Sequence, residues 1–153
     1  MRKLTPDART LSGKEQLEAL MAGPGASALG VLLGMRLSFV GDGIADFIAR
    51  PTTDHYNPGM TLHGGYAATL IDSALGCAVQ TKLPPGTRYG TVELKVNYVR
   101  AVTVENGALT CRAEVLHSGR RLATAEARVV DAQGKLVAHG SGTFMIQPEG
   151  DAG

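Results

Sequence analysis

From Gly65 to Thr81 the residues Ala67, Ala68, Leu70, Ile71, Ala74, Leu75, Ala78 and Val79 leave almost no polar face, which predicts a helix covered on nearly all sides. Pro84-Pro85-Gly86 stops that helix. Four extended segments follow, at about 90–100, 108–117, 121–130 and 136–146, parted by turn chemistry at Asn106-Gly107, Ser118-Gly119 and Gln133-Gly134. An apolar helix of this kind must be wrapped by other elements. The pattern therefore predicts an α+β fold, an antiparallel meander curved around one long central helix.

The rest of the chain fits around that plan. Ser12 and Glu15 have capping-box spacing, and Leu17, Leu20 and Met21 line one face of a short helix expected at about 12–22. Met35, Leu37 and Phe39 alternate with Arg36, Ser38 and Val40 up to Gly41-Asp42-Gly43, and 44–49 resumes an extended pattern, so a hairpin is expected there. Residues 51–60, with Pro51, Pro58 and Gly59, read as a loop. The apolar run 31–35 is far too short to span a bilayer. No repeat is visible in the 153 residues, and 44% apolar content supports one domain over 1–153, with a core at about 30–146 and a flexible tail at 147–153.

Charge and cysteines narrow the function. Fifteen basic against 14 acidic residues lack the cationic excess of a nucleic-acid binder. Cys77 and Cys111 lie in apolar stretches and match neither a disulfide framework nor a zinc spacing, which suits free thiols in a reducing compartment. Met1-Arg2-Lys3 is basic, but Thr5-Pro6-Asp7 follows where a secretory signal needs apolar residues, so a soluble, cytoplasmic protein is expected.

Between Asp54 and Lys82 the single charged side chain is Asp72, in the middle of the apolar helix. A carboxylate buried there without an adjacent Lys or Arg pays a desolvation penalty, and chemistry is the reason that fits best. The helix opens on His63-Gly64-Gly65, whose unpaired N–H groups and lack of side chains suit stabilisation of a carbonyl oxygen. Asp72 falls about 12 Å further along the axis. One helix cannot bring both features to one small carbonyl, whereas a two-fold dimer can, by pairing the N-terminus of one subunit with the carboxylate of the other. Asp72 then serves as general base for water or as a direct nucleophile.

The combination Asn57-Pro58, His63-Gly64-Gly65 with Asp72, Thr91-Val92-Glu93-Leu94 with Tyr98 and Arg100, then His117-Ser118-Gly119-Arg120-Arg121 and Gly134–Ala138, resembles the hotdog-fold acyl-CoA thioesterases of the phenylacetate-degradation (PaaI-like) branch over about 30–146. Ala101 stands where many relatives have Pro. The resemblance implies the hotdog fold, an acyl-CoA substrate, no cofactor or metal, and a homodimer with shared active sites that pairs again into a tetramer. It also implies that Asn57 helps to position the attacking water, that His63 fixes the helix entry, and that the Thr91 hydroxyl faces the carboxylate. Each has a plain structural reading beside it, as a turn former, a helix-start residue and an ordinary strand residue. Gly65, Arg100 and the turn from His117 to Arg121 are the candidates for contact with CoA and its phosphates, the alternative being a solvated hairpin with surface arginines. If both are extended, Arg120 and Arg121 point to opposite faces, and only one of them binds.

Other chemistries lack their residues. No Gly-x-Ser-x-Gly elbow surrounds Ser73, and Gly41-Asp42-Gly43 and Gly140-Ser141-Gly142 lack the rest of a nucleotide fingerprint. Asp54, His55 and His63 have no metal-ligand spacing. A hotdog hydratase would need a His soon after Asp72, and none occurs before His117. A non-catalytic acyl-CoA-binding module on the same fold remains the alternative to the enzyme. Met60, Leu62 and Tyr66 are candidates for an acyl pocket or for interface core.

Overall fold

The computed structural model describes residues 9–148, so the basic start of the chain and all of the expected tail beyond Pro148 lie outside the described residues. Helix α1, Gly13–Ala22, opens on the expected capping box: the Glu15 N–H donates to Ser12 Oγ at 3.3 Å and the Ser12 N–H to Glu15 Oε2 at 2.7 Å. A second short helix, α2 at Ala28–Leu33, occupies much of what reads in sequence as a bare apolar run. Its ends are marked by Ser27, which accepts from the Gly30 N–H at 3.1 Å, and by Gly34 in the left-handed conformation.

The hairpin forms from β1, Met35–Gly41, and β2, Ile44–Ala49, around Gly43 at φ 71. Its alternation is not the simple one. A register shift between Leu37 and Phe39 turns Phe39 outward, 45% exposed and 6.0 Å beneath the Arg112 guanidinium, while Val40 takes the inward place.

Helix α3, Gly64–Gln80, is followed by β3 (Arg88–Tyr98), β4 (Leu109–Ser118), β5 (Leu122–Val130) and β6 (Leu136–Gln147). All pairs are antiparallel and the six strands lie in the order β1-β2-β4-β5-β6-β3. The expected four-strand meander is thus three strands, β4 to β6, with β3 at the far edge beside β6. The link 99–108 permits this, since passing the ends of β6 and β5 requires only about 14 Å at normal strand spacing. The strand left at the edge is the one whose side chains are mostly exposed.

Helix α3 touches every strand of the sheet. Leu70, Ile71, Ala74, Leu75, Ala78 and Val79 are fully buried, and each large aliphatic among them contributes roughly 1.5–3 kcal/mol relative to an exposed position. The sheet beneath is lined by small residues, Ala113, Ala123, Ala125 and Ala138. A Cβ at Gly142 would meet Leu75 Cδ1 and Phe144 Cε2 at 3.1 Å, so its absence lets the helix settle into the concave face. Among the described residues no helix is long and apolar enough to cross a membrane.

Candidate active site

The covering of α3 is incomplete along one stripe. Thr69, Asp72, Ser73 and Cys77 are half-buried, and together with Gly76 they line a cleft of about 250 Å³ whose other walls come from α1, α2, β1, β2 and β3. Asp72 therefore sits at the edge of a cavity and not in a sealed core; the apolar residues around it in sequence belong mostly to the opposite side of the helix. Its partner is Thr91, whose Oγ1 donates to Asp72 Oδ1 at 2.9 Å. Thr69, three residues before Asp72 on the same helix, instead donates to the Gly65 carbonyl at 2.8 Å.

A bulge in β3 explains how Thr91 reaches the helix. Register shifts between Thr91 and Glu93, so odd-numbered Tyr89 and Thr91 before it and even-numbered Leu94, Val96 and Tyr98 after it all face α3. Tyr98 Oη donates to the Gly64 carbonyl at 3.1 Å. One strand thus holds α3 at its first turn and at Asp72.

The start of α3 is built by His63. Its Nδ1 accepts the Gly65 N–H at 2.8 Å, and its carbonyl accepts the Tyr66 N–H at 2.9 Å. Of the two glycines, Gly64 therefore keeps the open N–H among the described residues. A second cleft, of about 340 Å³, lies here between His63, Gly65, Tyr66, His55 and Asp54, and Thr69 borders both cavities. Asp54, His55 and His63 share this wall, but His55 Nδ1 is occupied by the Thr52 N–H at 2.9 Å, and no metal-holding cluster occurs among the described residues.

The remaining candidates lie elsewhere. Asn57 closes its own turn: its Nδ2 donates to Thr61 Oγ1 at 3.0 Å and its backbone N–H to the Thr61 carbonyl at 2.8 Å. It does not reach the Asp72 of its own subunit. His117 folds over Gly119, where an added Cβ would stand 2.9 Å from its Nε2, and the Gly119 N–H closes the β4–β5 turn on the Leu122 carbonyl at 2.9 Å. Leu122 pairs with Met145, which pairs with Gly90, so Ser118, Arg120 and Arg121 lie at the Thr91 end of the sheet. Arg100 follows Tyr98 at the other end, where its N–H donates to the Val137 carbonyl at 3.1 Å. Along β3 the separation is roughly 25 Å, so one subunit does not gather Arg100 and Arg120 around one phosphate group.

Met60 is 69% exposed, while Leu62 and Tyr66 are buried, with Tyr66 Oη donating to the Leu33 carbonyl at 2.7 Å; none of the three lines the Asp72 cleft. Its apolar walls are Leu20, Leu29, Met35, Phe47, Cys77 and Tyr89. The Ser27 to Gly34 cap pair could have revealed α2 in the sequence; nothing local marks Phe47 or Tyr89, which come from two distant strands. Burial pushes the Cys77 thiol up to about 12 and raises the Tyr89 phenol as well, so both line the cleft as neutral groups. Asp72 is then the single carboxylate in the cavity wall.

Comparison with known proteins gives one family match, one relative by sequence and two solved structures. The thioesterase superfamily profile matches residues 59–138. A candidate esterase of Halobacterium salinarum is 39% identical over 93 residues, which is 56% of this chain, and the chain spans 60% of that relative's length. A solved conserved protein of Pseudomonas aeruginosa is 36% identical with a TM-score of 0.75, covering 80% of this chain and 96% of its own. A mutant of the phenylacetic acid degradation protein PaaI of Thermus thermophilus is 29% identical with a TM-score of 0.70, covering 78% and 98%.

Proposed function

Since the chain belongs to the thioesterase superfamily, we propose that it hydrolyses acyl- or aryl-CoA thioesters to the free acid and CoA, with Asp72 as the catalytic carboxylate. The observation that carries this reading is the 2.9 Å hydrogen bond from Thr91 to Asp72 Oδ1 at the wall of an otherwise uncharged cleft. That bond orients the carboxylate and leaves Oδ2 to take a proton from water or to attack the thioester carbon itself. The open Gly64 N–H at the positive end of α3 stabilises the oxyanion that forms, and His63 keeps that first turn in shape.

Within one subunit these two features stand about 12 Å apart along α3. The active site is therefore composite: Asp72 and Thr91 from one subunit meet Gly64, His63 and Asn57 of a second. Edge strand β3, with Val92 54% exposed and its outer side unpaired among the described residues, supplies the natural seam for two-fold pairing. The Ser118–Arg120 turn, on the Thr91 end of the sheet, contributes a phosphate contact for the nucleotide end of CoA, and Arg100 serves a different site of the oligomer.

The test combines a substrate panel with subunit mixing. Aryl- and alkyl-CoA thioesters are compared with the matching acyl-carrier-protein esters, and CoA thioesters are turned over faster. Asp72→Asn chains are then paired with Gly64→Val chains, whose new side chain must displace the Tyr98 ring now 3.1 Å from the Cβ position. Each homodimer is nearly inactive, and the isolated mixed dimer regains about one good site of two. A folded mixed dimer without recovery refutes the shared site, and a panel without turnover refutes the enzyme in favour of a binding module.

A further inference from the structure

The cleft beneath Asp72 has a built end. Going along α3 away from the helix start, the lining of the cleft passes Asp72 and Ser73, then Gly76 and Cys77, and goes no further; Gln80 lies about one turn beyond. At that point Tyr89 of β3 lies across the helix. Its ring contacts Phe144 edge-on with centroids 6.1 Å apart, and its Oη donates to Gln80 Oε1 at 3.3 Å. Gln80 Nε2 in turn donates to Gln16 Oε1 of α1 at 3.3 Å. Helix α1 is thereby tied to the end of α3 and the start of β3 just beyond the lined part of the cavity, with Tyr89 itself in the wall. Gly76 makes the crossing possible, because a Cβ there would stand 3.2 Å from Tyr89 Oη and Cε2.

We propose that this Tyr89–Gln80–Gln16 tie is the stop of the acyl pocket and that Tyr89 sets the length of acyl group the protein accepts. The proposal rests on the thioesterase reading of Asp72 and extends it to substrate class. A thioester carbon held at Asp72 has about 6 Å of helix, one turn, before the plane of Gly76 and the Tyr89 ring. The whole cleft of about 250 Å³ corresponds to roughly eight groups the size of a water molecule. Its apolar walls are Leu20, Leu29, Met35, Phe47 and the neutral Cys77, so the group that fits is apolar and short: a ring on a short tether, or a chain of about five to eight carbons, the lower figure set by the depth of the cleft and the upper by its volume. Longer chains meet the Tyr89 ring.

Binding of S-alkyl-CoA thioethers, from ethyl to hexadecyl, tests this without requiring turnover. In the wild type, affinity measured by titration calorimetry rises roughly four-fold per added methylene until about five to eight carbons, then stops rising. Tyr89→Ala moves that break to longer chains by about three carbons, the length of side chain removed. Gly76→Ala moves it to shorter ones, since the new methyl pushes the ring into the cleft. Tyr89→Phe keeps the ring and keeps the break, which separates the stop from a general loosening of the fold. A break that stays in place in both Tyr89→Ala and Gly76→Ala, or a wild type whose affinity climbs steadily to hexadecyl, overturns the proposal. Should Tyr89→Ala fail to fold, the shortening by Gly76→Ala decides alone. If the thioethers show the break but no thioester is hydrolysed, the catalytic reading falls and the stop stands; turnover with no break in length does the reverse.

Discussion

The two sides of α3 follow different rules within one 17-residue helix. On one side Leu70, Ile71, Ala74, Leu75 and Ala78 are sealed against the concave sheet, with small residues facing them so that the helix sits close. On the other, Thr69, Asp72, Ser73 and Cys77 stay half-open along a cavity, and the partners that reach them come from β3 and the N-terminal helices. The sealed side holds the molecule together by burial, which is non-directional and tolerant of detail. The open side depends on single hydrogen bonds, and therefore on register. The element that organises the core thus carries a carboxylate without that charge entering the core.

Asp72→Asn attacks the open side alone and carries the largest expected effect. It keeps size and can still accept from Thr91, so thermal stability stays within a few degrees, while kcat for the best CoA thioester falls by a thousand-fold or more. Turnover within a few-fold of wild type would make Asp72 a structural residue. Leu75→Ala attacks the sealed side. It leaves a cavity at a fully buried position, touching Gly142, and costs about 2–5 kcal/mol in denaturant unfolding, while activity per folded molecule changes by less than about three-fold. If the two variants exchanged these signatures, the division of the helix into a packing side and a chemical side would be wrong.

The smallest effect is one of pH, and it tests whether the two sides share a property. Cys77 lines the cleft and Cys111 is in the core, yet burial pushes both thiols from the ordinary 9.0 up to about 12. In the unfolded chain they ionise near the ordinary value. The stability linked to these raised values is complete below pH 9.0 and is lost as pH climbs toward 12, because the unfolded state alone releases its protons. Melting temperature falls on going from neutral pH to about pH 10, and Cys77→Ser, a thiol removed, flattens part of that decline. Near neutral pH the Cys77 thiol is protonated, so iodoacetamide modifies it slowly despite its place on the cavity wall.

Much of this architecture was legible because it depends on local periodicity. The all-round apolar run, the capping box at Ser12, the turns at Gly107, Gly119 and Gly134, and the extended segments all appear where the residue pattern puts them. Asp72 was legible as an anomaly of composition, the single charge in a long uncharged stretch. Helix α2 was recoverable only from its terminal residues, Ser27 and Gly34, since six residues are too few for a periodic signal.

What tertiary structure decided was which side of each element meets which neighbour. Residue identity does not encode the bulges that turn Phe39 outward and bring Thr91 and Tyr98 to the same face of β3, because a single inserted residue inverts the parity of a strand and leaves its composition unchanged. The placement of β3 beside β6 likewise depends on a long link that sequence leaves free to go either way. With it go the wall of the cleft, the Tyr89–Gln80 contact and the separation of Arg100 from the Arg120 turn. The chain itself determined that it would form a helix wrapped by a sheet, with one carboxylate and one glycine-led helix start. Long-range register determined that the carboxylate would face a cavity, because pairing between strands distant in sequence, and not the preference of any residue, fixes where a side chain ends up.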